Sequence, residues 1–227
     1  MSKPEILMMG PYPDWDMADL DSAYRVHKVW QADDRDLFIA AHAANVRGIA
    51  TRGELGASAD LMRRLPKLEI VSCYGVGTDA IDLAHARAGG IRVTNTPDVL
   101  TGDVADIGIG LALALARKIP QAHAYVLSGN WPKANMSLVT RFFGKRIGIA
   151  GMGRVGVATA RRAAAFDCEI RYFDVAERDD LDWGFEADLV ALAGWADFLM
   201  VTLAGGASTH GIINAAVLKA LGPDGYL

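Results

Sequence analysis

Three glycines with the spacing of a diphosphate-binding turn are the most informative residues of this chain. They lie in Gly151-Met152-Gly153-Arg154-Val155-Gly156, between the apolar run 146–150 and an alanine- and arginine-rich stretch, 157–166. This pattern predicts a strand, a tight turn and a helix. The first glycine permits the sharp turn, the second lets the backbone approach a pyrophosphate, and the third lets the helix pack closely on the strand. The start of the helix would offer N–H groups and a partial positive charge to the anion.

Asp174 supplies the second part of a dinucleotide site. It follows the apolar run Glu169–Phe173, about 20 residues after the glycines, where a carboxylate can accept hydrogen bonds from a ribose diol. The same carboxylate would repel a 2′-phosphate, so we predict NAD, with NADP possible because Arg178 could partly offset the repulsion. Two other interpretations fit these residues: an ordinary strand–helix turn with a surface aspartate, and a site for S-adenosylmethionine.

Composition limits the possible functions. The chain has 227 residues, 52% of them hydrophobic, which is enough for one or two domains with a packed core. Its formal net charge of −4, with no block of basic residues, argues against nucleic acid or an anionic membrane as a partner. The longest apolar run, 107–116, is too short to span a bilayer, and the N-terminus does not resemble a secretory signal.

The cysteines and the spacing of potential ligands favour a cytoplasmic protein without a metal. Cys73 and Cys168 belong to no C-x-x-C pair and lie in apolar surroundings, so we expect free, buried thiols in a reducing compartment. No cluster of Asp, Glu, His or Cys has metal-ligand spacing.

Short apolar runs alternate with helical patterns along the chain, which predicts parallel sheets covered on both faces. Before the glycine motif, the predicted strands are 5–10, 26–30, 48–51, 68–74 and 91–96, and the predicted helices are 17–24, 34–45, 58–65 and 80–88. A longer helix, from about 104 to 116 and past Pro120, is apolar on most sides, as is typical of a helix buried between domains or subunits. After the motif we predict strands 169–174 and 198–203, helices 187–196 and 214–221, and the start of another strand at 225–227.

Several further motifs occur in a recognisable order. They are Tyr74–Asp82 (YGVGTDAID), Val93–Thr101 (VTNTPDVLT), Val104–Asp106 (VAD), Gly129–Trp131 (GNW), Phe143–Gly156 (FGKRIGIAGMGRVG) and Ala220–Gly225 (ALGPDG). In these motifs the chain resembles the D-isomer-specific 2-hydroxyacid dehydrogenases, and within them the glyoxylate/hydroxypyruvate reductase branch. The resemblance implies a flavodoxin-like substrate domain at 1–99, then an incomplete Rossmann domain for NAD(P) at 100–227. It also implies hydride transfer between NAD(P)H and a small 2-keto acid, and a homodimer when the protein is full length.

The resemblance also assigns roles to individual residues. The backbone N–H groups of Val76 and Gly77 are expected to hold the substrate carboxylate, and Arg52 to line the same site. Thr101 is expected to face the nicotinamide, although it could equally cap a helix. Trp131 is expected near a dimer contact, unless it is a core residue. The residues expected to contact the rest of the cofactor are Gly151, Gly153, Arg154, Val155, Gly156, Asp174, Leu203, Ala204 and Thr209.

The residues expected to carry out catalysis have no counterpart in this sequence. The family uses a histidine as general acid, a glutamate paired with it, and an arginine that binds the substrate carboxylate and carbonyl. The chain's five histidines match none of these positions, and the resemblance puts all three residues after Leu227. We therefore expect no catalytic residue within 1–227 and no turnover by this chain alone. The alternative function is a non-enzymatic, NAD(H)-responsive binding protein of the same fold.

Overall fold

The computed structural model describes residues 3–227 and divides the chain into two compact units, one ending at Val99 and the other beginning at Leu100. Each unit is built on its own parallel sheet, so the predicted α/β class with parallel sheets is confirmed. In the described part of the chain, no helix is long and apolar enough to cross a membrane.

The first unit is a five-stranded sheet in the order β2-β1-β3-β4-β5, which is the flavodoxin-like order. Its strands are β1 (Glu5–Met8), β2 (Arg25–Lys28), β3 (Val46–Thr51), β4 (Ile70–Cys73) and β5 (Arg92–Thr94). Its helices are α1 (Asp14–Ala23), α2 (Arg35–His42), α3 (Ala59–Arg63) and α4 (Leu83–Ala88), and Val29–Gln31 forms a short 3-10 helix.

Both faces of this first sheet are covered. On β1, Leu7 belongs to the larger core of the unit, whereas Ile6 and Met8 belong to a smaller cluster, since successive side chains of a strand point to opposite faces. Side-chain caps fix the starts of three helices, with Asp34, Ser58 and Asp82 accepting N–H bonds from α2, α3 and α4.

The second unit is a four-stranded parallel sheet in the order β8-β7-β6-β9. Its strands are β6 (Arg146–Ala150), β7 (Glu169–Phe173), β8 (Gly184–Phe185) and β9 (Phe198–Val201). Its helices are α5 (Thr101–Ala116), α6 (Ile119–Leu127), α7 (Arg154–Ala164), α8 (Leu189–Trp195) and α9 (Ala215–Leu221). Counted within the unit, this order is the 3-2-1-4 of a Rossmann sheet. Beyond β9, Tyr226 forms a parallel bridge to Phe198, in keeping with the strand start expected at 225–227.

The long apolar helix differs from its prediction in two respects. Its end at Ala116 is as predicted, but the predicted extension past Pro120 is a separate helix, α6, because Lys118 adopts a left-handed conformation (φ 50°) and Pro120 cannot continue the preceding helix. Only one face of α5 is covered within the unit. Ile109 on that face is buried, whereas Ile107 and Leu111 are more than half exposed.

Two side-chain expectations need correction. Thr101 is the first residue of α5, and Leu100 occupies the N-cap without a side-chain bond, so the capping interpretation of Thr101 is wrong. Trp131 is 67% exposed, so its interpretation as a core residue is wrong as well. Of the two free thiols, Cys73 is buried as expected, but Cys168 is only half-buried.

Candidate cofactor and substrate sites

The glycine turn lies between β6 and α7 in the second unit. Gly151 has φ 96°, and a Cβ on it would lie 2.8 Å from the backbone N of Leu203. A Cβ on Gly156 would lie 2.1 Å from the Gly151 oxygen. Only glycine fits at these two positions, because one has a left-handed backbone and both meet backbone atoms closely.

Gly153 is different, and the difference points to a ligand. Its φ of −73° suits any residue, and nothing lies within 4 Å of the position that its Cβ would take. Gly153 is also the N-cap of α7 and supplies no side chain to the first turn. Open space above a helix N-terminus is what a pyrophosphate needs if it is to accept N–H bonds there.

Asp174 lies at the end of β7, beside the turn. Its Oδ2 accepts a 2.7 Å hydrogen bond from the backbone N–H of Met152, and its Oδ1 accepts another from Val175. Arg178, four residues after Asp174, also contacts the turn, because its Nη1 donates to the Met152 carbonyl (2.8 Å). Its Nε and Nη2 donate to the Asp180 carboxylate. The arginine that could have received a 2′-phosphate therefore already has three oxygen partners.

The segment after β9 forms a small wall next to the turn. Thr209 donates from Oγ1 to the Ala204 carbonyl (2.7 Å), and both residues line a cavity of about 250 Å³ together with Leu203. Thr202, which no sequence motif marked, donates from Oγ1 to the Gly151 carbonyl at 2.6 Å. Its place at the end of β9 is the signal that could have identified it, because the carboxyl ends of parallel strands form the ligand-binding edge.

The second candidate site is the loop that follows β4 in the first unit. Three consecutive carbonyls in this loop are occupied: Gly75 accepts from the Thr96 N–H, Val76 from the Asn95 amide, and Gly77 from the Cys73 thiol. The N–H groups of Val76 and Gly77 donate to no acceptor among residues 3–227, and both residues are exposed. Exposed successive N–H groups of this kind form an anion-binding nest.

Arg52 lies in the neighbouring loop, which follows β3. The two loops pack closely, because a Cβ on Gly53 would lie only 2.9 Å from the Gly77 oxygen. The Nε of Arg52 is buried and has no hydrogen-bond partner in the described structure. The Glu54 carboxylate lies 3.0 Å from that nitrogen, which makes an ion pair without an aligned hydrogen bond. The structure thus brings Arg52, Val76 and Gly77 together.

Thr101 and the histidines contribute little to these two sites. Thr101 makes no side-chain hydrogen bond to the glycine turn within residues 3–227. His27 is buried against Glu5 and its ring stacks on that of His42, whereas His85 is half-buried and His123 and His210 are exposed. No group of three His, Cys, Asp or Glu among the described residues could hold a metal ion.

The two arrangements suit two different anionic ligands. The glycine turn has the space, the helix N-terminus and the adjacent carboxylate that a dinucleotide requires. The loop at 75–77 has two unpaired N–H groups and a nearby arginine, which suit a carboxylate. Such a pair of sites fits an enzyme that binds a nicotinamide dinucleotide and a small organic acid.

Comparison with known proteins points the same way. Residues 109–227 match the family model described as the D-isomer specific 2-hydroxyacid dehydrogenase, NAD binding domain. The hydroxyphenylpyruvate reductase of Plectranthus scutellarioides is 42% identical over 98% of this chain and 71% of its own length.

Two solved structures extend the similarity to the fold. The 2-hydroxyacid dehydrogenase of Ketogulonicigenium vulgare is 51% identical, with a TM-score of 0.90 over 99% of this chain and 71% of that protein. The NADPH-dependent glyoxylate/hydroxypyruvate reductase of Sinorhizobium meliloti, solved with NADP and malonate, is 37% identical, with a TM-score of 0.85 over 99% of this chain and 70% of that protein.

These relatives are all oxidoreductases, and they give no support to the non-enzymatic alternative. The chain belongs to the D-isomer-specific 2-hydroxyacid dehydrogenase family of nicotinamide-dependent oxidoreductases, in its glyoxylate/hydroxypyruvate reductase branch.

Proposed function

We propose that this chain binds NADH, as the preferred cofactor, and a small 2-keto acid such as glyoxylate or hydroxypyruvate for reduction of the keto acid, with no turnover expected from residues 1–227 alone. The observation that carries the proposal is the pairing of two anion sites in one chain. One is the open helix N-terminus at Gly153 beside Asp174, and the other is the pair of unoccupied N–H groups at Val76 and Gly77.

Each site has a distinct part in this function. The turn at 151–156 holds the pyrophosphate, Asp174 accepts hydrogen bonds from the adenosine ribose, and Leu203, Ala204 and Thr209 form the wall beside it. When bound, the reduced nicotinamide supplies the hydride. The Val76 and Gly77 N–H groups hold the keto acid by its carboxylate and thereby orient the neighbouring keto carbon.

The preference for NADH is supported by the surroundings of Asp174. A 2′-phosphate would be placed against this carboxylate, and Arg178 is already paired with Asp180 and the Met152 carbonyl. The repulsion between the Asp174 carboxylate and a 2′-phosphate is therefore poorly compensated by Arg178. The Sinorhizobium meliloti relative is NADPH-dependent, so our preference for NADH rests on these local contacts of Asp174 and Arg178 and not on that relative.

We also propose that the protein forms a homodimer and lies in the cytoplasm. The dimer is supported by the uncovered apolar face of α5, where Val104, Ile107, Leu111 and Leu115 are 43–59% exposed. A reducing compartment is supported by the two free cysteines.

Calorimetric titration of the purified chain tests the cofactor site. We expect a single site for NADH, weaker binding of NADPH, and no binding of S-adenosylmethionine. Binding of S-adenosylmethionine, or of neither dinucleotide, would overturn the assignment. A further titration with glyoxylate and hydroxypyruvate tests the carboxylate site. It is made on the NAD⁺-saturated chain, so that no hydride is available. The Gly77→Pro variant should lose keto-acid binding because proline lacks the backbone N–H.

A further inference from the structure

Asn95 and Thr96 hold the loop at 75–77 from the neighbouring strand. They directly follow β5, which is the parallel neighbour of β4, and the carboxyl ends of neighbouring parallel strands lie side by side. The side-chain amide of Asn95 therefore reaches the Val76 carbonyl, to which it donates at 2.8 Å. The backbone N–H of Thr96 donates to the Gly75 carbonyl at 2.9 Å.

These two bonds fix the direction of the two N–H groups that we propose for the keto acid. The peptide units of residues 3–227 are all trans, so the C=O and the N–H of one planar unit point in opposite directions. The Val76 carbonyl shares its unit with the Gly77 N–H, and the Gly75 carbonyl shares its unit with the Val76 N–H. Because the segment 95–96 binds both carbonyls, both N–H groups point away from it.

Only one of the two bonds depends on a side chain. Thr96 uses its backbone N–H, which every residue except proline has, whereas the bond to Val76 requires a donor in the side chain at position 95. The Gly77 carbonyl accepts from the Cys73 thiol at 3.3 Å, but it belongs to the following peptide unit and orients neither N–H. The side chain at position 95 is thus coupled to the Gly77 N–H alone.

The bond from Asn95 also strengthens the donor that it orients. Hydrogen bonds in series polarise one another. Here the series runs from the Asn95 amide through the peptide unit of Val76 and Gly77 to the carboxylate of a bound keto acid. A charged acceptor at the end of such a series makes the strongest use of the polarised N–H.

We propose that Asn95 is a positioning residue for the keto acid, because it holds this peptide unit so that the Gly77 N–H is aimed at the substrate carboxylate. The inference rests on the proposed function, since it concerns the same carboxylate site, and it adds a residue that acts without touching the substrate. The Val76 N–H, which a backbone bond orients, keeps its direction whichever residue occupies position 95.

Titration of the NAD⁺-saturated, ¹⁵N-labelled chain with glyoxylate, followed by NMR, tests the role of Asn95. In the wild type we expect the amide proton resonances of Val76 and Gly77 to move downfield as both bind the carboxylate. Asn95→Leu has a similar shape but no donor, and should bind glyoxylate about fivefold more weakly, as the loss of one hydrogen bond allows. Its Gly77 shift should be reduced and its Val76 shift kept, whereas a general loss of loop structure would change both.

Matched variants control for other effects of the substitution. Asn95→Gln keeps an amide donor and should recover most of the wild-type affinity. Asn45→Leu, at another exposed asparagine of the same unit, should bind glyoxylate as the wild type does. All variants should bind NAD⁺ with wild-type affinity, since the glycine turn lies in the other unit. Asn95 is exposed, and if Asn95→Leu does not fold, Asn95→Ala, which lacks the donor as well, gives the same comparison.

The outcomes separate this inference from the proposed function. An unchanged glyoxylate affinity in Asn95→Leu, or an equal loss of both amide shifts, overturns the role of Asn95 but leaves keto-acid binding intact. Binding by Asn95→Gln as weak as that by Asn95→Leu also overturns it, because the donor would then not be the property that matters. Failure of glyoxylate to bind a wild-type chain that does bind NAD⁺ overturns the proposed carboxylate site, and the role of Asn95 with it.

Discussion

The carboxylate of Asp174 and the backbone N–H of Met152 are joined by a 2.7 Å hydrogen bond. This bond ties the end of β7 to the glycine turn, so one carboxyl group shapes the turn and is also the group that we propose to bind the ribose. Only part of its hydrogen-bonding capacity is used, because an ionised carboxylate has about four lone-pair sites.

Removing the charge at position 174 should change the choice of cofactor. In Asp174→Asn, an amide oxygen can still accept from Met152, but the negative charge that repels a 2′-phosphate is gone. We expect NADH to bind roughly tenfold more weakly, as expected for a lost charged hydrogen bond, and the preference for NADH over NADPH to decrease or reverse. Calorimetric titration measures both affinities. Asp179→Asn is the matched control, since Asp179 is exposed nearby and makes no hydrogen bond in the described structure. An unchanged ratio of NADH to NADPH affinity in Asp174→Asn would refute the role assigned to Asp174.

Alanine at the second and third glycines of the turn should have opposite effects. Gly153→Ala meets no atom within 4 Å, so thermal stability should be unchanged, while NADH binding falls at least tenfold because the methyl group takes the space of the pyrophosphate. Gly156→Ala places its Cβ 2.1 Å from the Gly151 oxygen and should destabilise the second unit by about 3 kcal/mol. Thermal unfolding and NADH titration of both variants check this. Full NADH affinity in a folded Gly153→Ala variant would argue against a pyrophosphate at the turn.

Sequence patterns predicted the fold well where the signal is local. The glycine turn, β6, α7 and the five strands of the first unit were all predicted to within a few residues, because short apolar runs and glycine spacing are local signals. Strand β8, only Gly184 and Phe185, gave no such signal. The break at Lys118 was missed because the apolar pattern continues across it, although Pro120 marked it.

The candidate sites were less predictable than the fold. The sequence indicated Asp174 and the loop at 76–77, but it could not show that Arg178 pairs with Asp180, or that the carbonyls of the loop are all occupied. Nor did it indicate that the rings of Tyr12 and Tyr74, 62 positions apart in the chain, pack against each other with their centroids 4.6 Å apart. Such contacts depend on strand order, which determines the neighbours at the sheet edge and is not a local property of the sequence.

The exposed apolar face of α5 should mediate self-association. Ile107 and Leu111 are one turn apart on this face, and each is more than half exposed. The double variant Ile107→Glu/Leu111→Glu would bury two charges in the proposed interface, which is strongly unfavourable. We expect the wild-type chain to sediment as a dimer and the variant as a monomer with unchanged circular dichroism. Leu37→Glu, at an exposed leucine of the first unit, should remain dimeric; loss of the dimer in this control, or its persistence in the double variant, would place the interface elsewhere.

The cluster of Glu5, His27 and His42 should make the stability of the first unit dependent on pH, through the lowered pKa values of Glu5 and His42. His27 Nε2 lies 2.7 Å from the Glu5 carboxylate, and its ring stacks on His42 at 3.9 Å. Burial, reinforced by His27, lowers the pKa of His42 below its ordinary 6.5, and the hydrogen bond with His27 lowers the pKa of Glu5 below its ordinary 4.5, an effect to which Arg25 adds.

Both shifts reduce stability in acid. As the pH falls below 6.5, His42 takes up a proton more readily in the unfolded chain than in the folded one, so the free energy of unfolding falls until the pH reaches the folded-state pKa. Below pH 4.5, Glu5 likewise takes up a proton more readily in the unfolded chain than in the folded one, which lowers the free energy of unfolding further. We therefore expect thermal unfolding of the first unit at a lower temperature at pH 5.5 than at pH 7.5. In His42→Phe, which keeps a ring beside His27 but cannot titrate, the decrease should be smaller, whereas His123→Phe, at an exposed histidine, should behave as the wild type. An equal decrease in His42→Phe and the wild type would show that His42 is not the group responsible.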